Sequence, residues 1–383
     1  MLVGLIPRLA MAGLLVLSAS CSPVEMARLQ AVNSLFDPDR IVSNFSHMDA
    51  AFLTTPVALG SRAALPLPRS ADARLPSEVG PWVVNRVITG LVVLKDGRLV
   101  HESYYHGTGP DDKRISWSVA KGFLSALFGI VMAKGDIASL DDMVTDYAPL
   151  LQGSAYDRVS LRQLLTMTTG VHFNEDYLNP ASDINRMGRV LALGRSMDAF
   201  AAGLHRRDRP PGHLWRYVSI DTHVLGMVIR GATGRTIGDL MSEELIAPLG
   251  LEAEPYYVTD GLGEPFVLGG LNMTTRDYAR FGQLFLQNGR VGGRQIVPAA
   301  WVAASTRPSA PTEPGAMGYG FHWWIPPQAI PGEFMAQGIY GQFIYINRPA
   351  GVVIAVNAAD VKFLNDGVED RNIFIYRAIA DSL

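Results

Sequence analysis

The chain has 383 residues, enough for one large domain or two moderate ones around a full core. It is 48% hydrophobic and 18% charged, with a net charge of −3 and a pI near 6.2. That balance excludes a disordered chain and leaves no basic footprint for nucleic acid. The single cysteine, Cys21, excludes an intramolecular disulfide.

The N-terminus reads as a leader. Met1 to Arg8 carries one positive side chain, Leu9 to Leu17 is apolar, and Ser18-Ala19-Ser20 are small residues before Cys21. This is the pattern of a secretory signal. Small residues directly before a cysteine also resemble the lipobox of bacterial lipoproteins, although Leu17 stands one place further back than the usual leucine. The resemblance implies lipidation of Cys21 and a place in the cell envelope, facing the periplasm. No later stretch reads as long and apolar enough to span a bilayer. Residues 22–75 lack periodicity, and Pro56, Pro66, Pro68 and Pro76 predict an extended wrapping arm.

Val87–Leu94 and Arg98–Tyr105 are β-rich runs flanking Asp96-Gly97, a hairpin signal. Ser118 to Met132 is apolar almost all round, which predicts a buried helix. A further helix cap is predicted at Ser139, and a capped short helix over Val159–Gly170. Residues 171–185 read as a polar, aromatic loop. Helices follow over Ser196–Leu204, Thr222–Ala232, Ile237–Leu249 (broken by Pro248), Thr275–Asn288 and Pro298–Thr306. From Gly318 the pattern becomes strands: Tyr319–Trp324, Phe334–Ile339, Gln342–Asn347 and Val352–Asn357. A helix, Asn372–Leu383, closes the chain.

Strands at both ends and helices between predict an α+β (mixed α/β) fold, an antiparallel sheet flanked by helices with an inserted all-helical lobe. The expected divisions are 76–135 plus 261–383 for the sheet lobe and 136–260 for the helical lobe. The seam between the lobes is the natural cleft.

Ser118 and Lys121 share the first turn of the buried helix. Three residues apart, they point the same way. Burial disfavours a charged lysine, lowering its pKa and making it a base for the neighbouring hydroxyl. Of the five lysines (Lys95, Lys113, Lys121, Lys134 and Lys362), only Lys121 has a serine three places before it. The spacing alone equally fits an N-capping serine and an amphipathic lysine stem.

Four segments together tip the balance. Ser118-Val119-Ala120-Lys121, Leu164-Leu165-Thr166-Met167-Thr168-Thr169-Gly170, Tyr217-Val218-Ser219 and Gly269-Gly270-Leu271-Asn272-Met273-Thr274 with Arg276-Asp277 resemble, in this order, the serine β-lactamase and penicillin-binding protein superfamily. The likeness spans about residues 80–380 and is nearest to the class C-like branch of esterases and 6-aminohexanoate-dimer hydrolases. The third motif departs from the lactamase pattern. Ala336-Gln337-Gly338-Ile339 has no cation at its first place, where lactamases hold the substrate carboxylate with a lysine.

The resemblance implies a serine hydrolase of linear amides or esters. Ser118 would be the nucleophile, Lys121 and Tyr217 the proton-handling pair, and the N–H groups of Ser118 and Ile339 the oxyanion hole. Tyr177, Ser219 and Asn272 would contact substrate. No metal or cofactor is called for. The expected partner is a small-molecule amide or ester, with no nucleic acid and with a membrane met only through the lipid on Cys21. Rival readings are a β-lactamase or D-Ala-D-Ala peptidase, and a non-catalytic binding module. His101, His106, His172, His213 and His223 read as structural, since no further convergent ligands or Gly-x-Ser-x-Gly elbow accompany them.

Overall fold

The computed structural model describes residues 22–61 and 63–383, so the leader and Cys21 lie outside the described residues. Its strands, in chain order, are β1 (Thr54–Pro56), β2 (Ile88–Lys95), β3 (Arg98–Tyr104), β4 (Arg114–Ile115), β5 (Tyr256–Val258), β6 (Leu271–Met273), β7 (Arg290–Val291), β8 (Arg294–Gln295), β9 (Gly318–Tyr319), β10 (Trp324–Ile325), β11 (Glu333–Gly338), β12 (Gln342–Asn347) and β13 (Val352–Ala358). The principal helices are α1 (Pro23–Asn33), α2 (Val79–Asn85), α3 (Ala120–Lys134), α4 (Leu161–Leu165), α5 (Asp183–Ala192), α6 (Met197–Ala202), α7 (Ser219–Thr233), α8 (Thr275–Leu286), α9 (Ala299–Ser305) and α10 (Val368–Asp381).

A seven-stranded antiparallel sheet runs β3-β2-β13-β12-β11-β10-β9. The first and last thirds of the chain thus meet where β2 pairs β13, with Val93 opposite Ile354. The hairpin between β2 and β3 turns at Asp96 and Gly97, both at positive φ (50° and 76°), as a tight two-residue turn requires. Apolar residues on the central strands alternate between two buried faces. Leu91, Val93, Phe343, Tyr345, Ile354 and Val356 pack under α2 and α10. Val92, Leu94, Ile344, Ile346, Val353 and Ala355 face the layer that holds α3 and α8. A period of two with both faces covered gives the near-continuous hydrophobic runs seen in the sequence.

α3 is the central helix. Its residues Ala120 to Val131 are all buried, and Gly135 ends it in the left-handed conformation (φ 91°). A Cβ on Gly129 would fall 2.2 Å from the Trp301 ring, so α9 can lie against α3 only over a glycine. By length and apolarity Trp117–Lys134 matches a membrane span, contrary to the expectation for the chain after the leader, but 72% of it is buried inside the protein.

Several expectations need correction. The arm is not wholly extended: Ser22 and Glu25 cap α1 reciprocally, and Pro23 starts it. Ser139 caps no helix. Its N–H goes to Asp142 and its hydroxyl takes the Asp141 N–H, closing a turn, and the next helix starts only at Val144. Tyr319–Trp324 is two strands, β9 and β10, because the chain reverses between them, with His322 at φ 64° and Gly320 N–H bonded to Trp323 O. A second small sheet, β1-β5-β6-β4, and helix α5 were not foreseen.

Candidate active site

Ser118 sits in a 3-10 turn, Trp117–Val119, that feeds directly into α3. The preceding Trp117 has φ 41°, a strained value for a bulky residue. Its ring is held by Phe45 at 5.5 Å and Phe36 at 5.8 Å. Lys121, in the first turn of α3, is 1% exposed, and its Nζ donates to Ser118 Oγ at 2.8 Å and to the carbonyl oxygen of Leu268 at 2.9 Å. Among the described residues no carboxylate lies within 4.0 Å of it, and burial lowers its pKa, against a smaller upward pull from the Glu175 charge. Burial thus shifts Lys121 toward the neutral amine that a base requires.

Tyr217 lies just before α7, and the Lys121 Nζ stands 5.2 Å from its ring centroid. The ring stacks on Trp324 at 5.4 Å and meets Tyr319 edge-on. Burial and then the Glu175 charge raise its phenol pKa, while the Ser118 and Ser219 hydroxyls beside it counter that rise. Ser219 opens α7 and is 1% exposed.

Glu175 was not singled out by the sequence. Its carboxylate accepts the Ser219 N–H, at the start of α7, the Ser219 hydroxyl at 3.2 Å and the Tyr177 hydroxyl at 3.0 Å. A carboxylate there complements the helix N-terminus. Burial nonetheless raises its pKa, opposed by the Ser219 N–H, the Lys121 charge and the two hydroxyls. The only trace in the sequence is an acid two places before Tyr177, a spacing with no motif behind it.

The end of β11 presses on the nucleophile turn. A Cβ on Gly338 would fall 2.7 Å from Ser116 O and 3.0 Å from Ser118 N. That contact brings Ile339 beside Ser118, and both line one cavity of about 110 Å³ together with Tyr177 and Ser219. Lys121 and Tyr217 are not on its lining; they lie behind and beside Ser118.

Asn272 is placed apart from the cavity. It lies on β6, opposite Tyr256 and Ile115, is fully buried, and donates to Gly270 O at 2.9 Å, so its side chain does not line the cavity. In the third motif Ala336 is buried on the α3 side, whereas Gln337 points to the opposite face and binds Glu369 of α10 at 3.0 Å. His172 pairs with Asp208 and His223 with Asp198, both at 2.8 Å and away from Ser118. Among the described residues no cluster of His, Cys, Asp and Glu forms a metal site.

Residues 85–375 match the family described as Beta-lactamase. The 6-aminohexanoate-dimer hydrolase of Paenarthrobacter ureafaciens is 29% identical over 284 residues, covering 70% of this chain and 71% of that protein. Among solved structures, a candidate 6-aminohexanoate-dimer hydrolase from Bacillus anthracis shares the fold with a TM-score of 0.77 at 24% identity, over 90% of this chain and 95% of that one. A class C beta-lactamase mutant shares it with a TM-score of 0.59 at 18% identity, over 80% of this chain and 95% of the other.

Proposed function

The chain belongs to the beta-lactamase family and is a serine hydrolase, and from that premise we propose that it cleaves linear amides or esters through an acyl-enzyme on Ser118. The observation that carries this reading is the buried Lys121 amine, 2.8 Å from the Ser118 hydroxyl and, among the described residues, with no carboxylate in ion-pair distance.

Ser118 Oγ attacks the acyl carbon as its proton passes to Lys121. Leu268 O can only accept, so it holds one N–H, and rotation of the amine about that bond can turn its lone pair to the Ser118 hydroxyl for the transfer. The carbonyl oxygen becomes an oxyanion facing the N–H groups of Ser118 and Ile339. Each such donor is worth about 2.7–4 kcal/mol of barrier. Tyr217, beside both Ser118 and the Lys121 amine, relays the proton to the leaving amine or alcohol. The bond to the leaving group then breaks, and water, deprotonated by the same pair, frees the acid and restores Ser118. Tyr177 and Ser219, on the cavity lining, are positioned to meet substrate.

The test is hydrolysis by the purified protein and its Ser118→Ala variant of p-nitrophenyl acetate and butyrate, the linear 6-aminohexanoate dimer and a chromogenic cephalosporin. Ester or amide turnover lost in the variant, with the cephalosporin intact, supports the reading. Rapid cephalosporin opening would favour a β-lactamase despite Ala336 standing where lactamases carry a cation. An active Ser118→Ala protein would refute the nucleophile.

The leader adds a proposal on location. A lipid on Cys21 would hold the enzyme at the cell envelope, and metabolic labelling with an alkyne fatty acid, lost in Cys21→Ser, tests it.

A further inference from the structure

We propose that the cavity beside Ser118 is an acyl-chain site, walled by the N-terminal arm, that selects uncharged apolar acyl groups; this rests on the acyl-enzyme reading above. The arm supplies Leu35, Phe36, Met48 and Phe52 to the lining, and these residues precede the segment matched to the family, 85–375. The facing wall is α5, through Ile184, Met187 and Leu191. The arm's wall is firmly seated: Phe36 stacks on Tyr340 at 4.7 Å, and Tyr340 packs on Phe363 at the same distance.

The lining favours the acyl half of the substrate as the occupant. Ser118 and Ile339, whose N–H groups would take the acyl oxygen, are on the lining, whereas Tyr217, the donor to the leaving group, is not. The cavity therefore lies on the acyl side. Its volume, about 110 Å³, is that of several water-sized spheres at roughly 10–15 Å³ each, room for a short to medium chain.

Among the described residues the lining carries no Asp, Glu, Lys or Arg. Away from Ser118, Tyr177 and Ser219, the polar side chains on the lining are Trp117, Tyr340 and Asn185, all uncharged; the Asn185 Nδ2 is held by the carbonyls of Tyr177 and Asn179 and by Ser182 Oγ. The nearby Glu175 carboxylate is engaged by Ser219 and Tyr177. An ammonium on the acyl tail would be buried without a counter-ion, a heavy penalty. An alkyl chain would gain with every methylene.

The experiment compares kcat/KM for p-nitrophenyl acetate, butyrate, hexanoate and 6-aminohexanoate. The expected result is a rise of about fourfold per methylene to hexanoate, and a fall of at least about tenfold when hexanoate gains the terminal ammonium. A flat series, or an aminohexanoyl ester as good as hexanoyl, overturns the assignment while leaving the acyl-enzyme reading intact. Binding of N-methylhexanamide and its 6-amino analogue to Ser118→Ala, by calorimetry, reads the same preference without turnover. Discrimination there with no ester hydrolysis by the wild type would keep the site and sink the reaction. Phe36→Asp, checked for folding by circular dichroism, should narrow the hexanoyl-to-aminohexanoyl ratio at least about tenfold by supplying a counter-charge; an unchanged ratio in folded protein removes the arm from the site.

Discussion

Lys121 Nζ lies 2.8 Å from Ser118 Oγ and 2.9 Å from Leu268 O, sealed from water at 1% exposure. A base works as the free amine, and burial lowers the Lys121 pKa from its usual 10.5. Activity should therefore rise with pH along a limb that lies well below the one an exposed lysine would give. Lys121→Ala and Lys121→Arg should both lower kcat by about 10⁴–10⁶-fold, because a guanidinium keeps the charge but cannot serve as a base. An active Lys121→Arg enzyme would show that charge rather than basicity is what Ser118 needs.

Glu175 acts on the same limb as a positioning residue. Its negative charge raises the Lys121 pKa, in opposition to burial, and raises that of Tyr217 as well. Glu175→Gln keeps an oxygen for the Ser219 N–H but removes the charge. Lys121 then loses its proton more readily, so the ascending limb of kcat/KM should move to lower pH, with a small change in Tm. A profile measured from pH 5 to 10 decides it. An unmoved limb would mean that Glu175 carries no charge in the working enzyme.

What the sequence made legible follows how each signal is encoded. Ser118, Lys121 and Tyr217 each stand in a short local segment, and the structure brings the three side chains together, whatever their roles in turnover. The strands β11, β12 and β13 were readable because both faces are buried and the runs stay apolar. Glu175 escaped because its role depends on Ser219, 44 residues away in sequence. The small sheet escaped because β4, β5 and β6 are two or three residues long, too short for alternation to register. Asn272 stands in a motif that marks the strand before α8, while its side chain turns inward to Gly270.

Asp221 in α7 predicts a pH-dependent stability. Its carboxylate is fully buried, accepts from Tyr156 and Thr169, and is pushed by burial from 3.8 up to about 8. Below 3.8 the group is protonated in both folded and unfolded chains and costs nothing. As pH rises from there toward about 8, the unfolded chain releases the proton first, so folding loses up to about 1.4 kcal/mol per pH unit. Asp221→Asn should flatten that part of the curve. Urea unfolding of both proteins at pH 5 and pH 8 measures it, and equal slopes would place the Asp221 pKa near its ordinary value.

Gly338 predicts a loss of rate with little loss of fold. Its bare Cα lets the end of β11 lie against the nucleophile turn, and a methyl group there would meet Ser116 O at 2.7 Å and Ser118 N at 3.0 Å. Both neighbours are backbone, so they cannot swing aside. Relief comes from moving β11, and with it the Ile339 N–H, away from Ser118. An oxyanion donor withdrawn in this way typically costs about 10²–10³ in kcat. Gly338→Ala should therefore lower kcat in that range while KM changes little, since the apolar walls of the cavity stay in place. A loss confined to KM would mean that the strand end shapes the pocket rather than the oxyanion site.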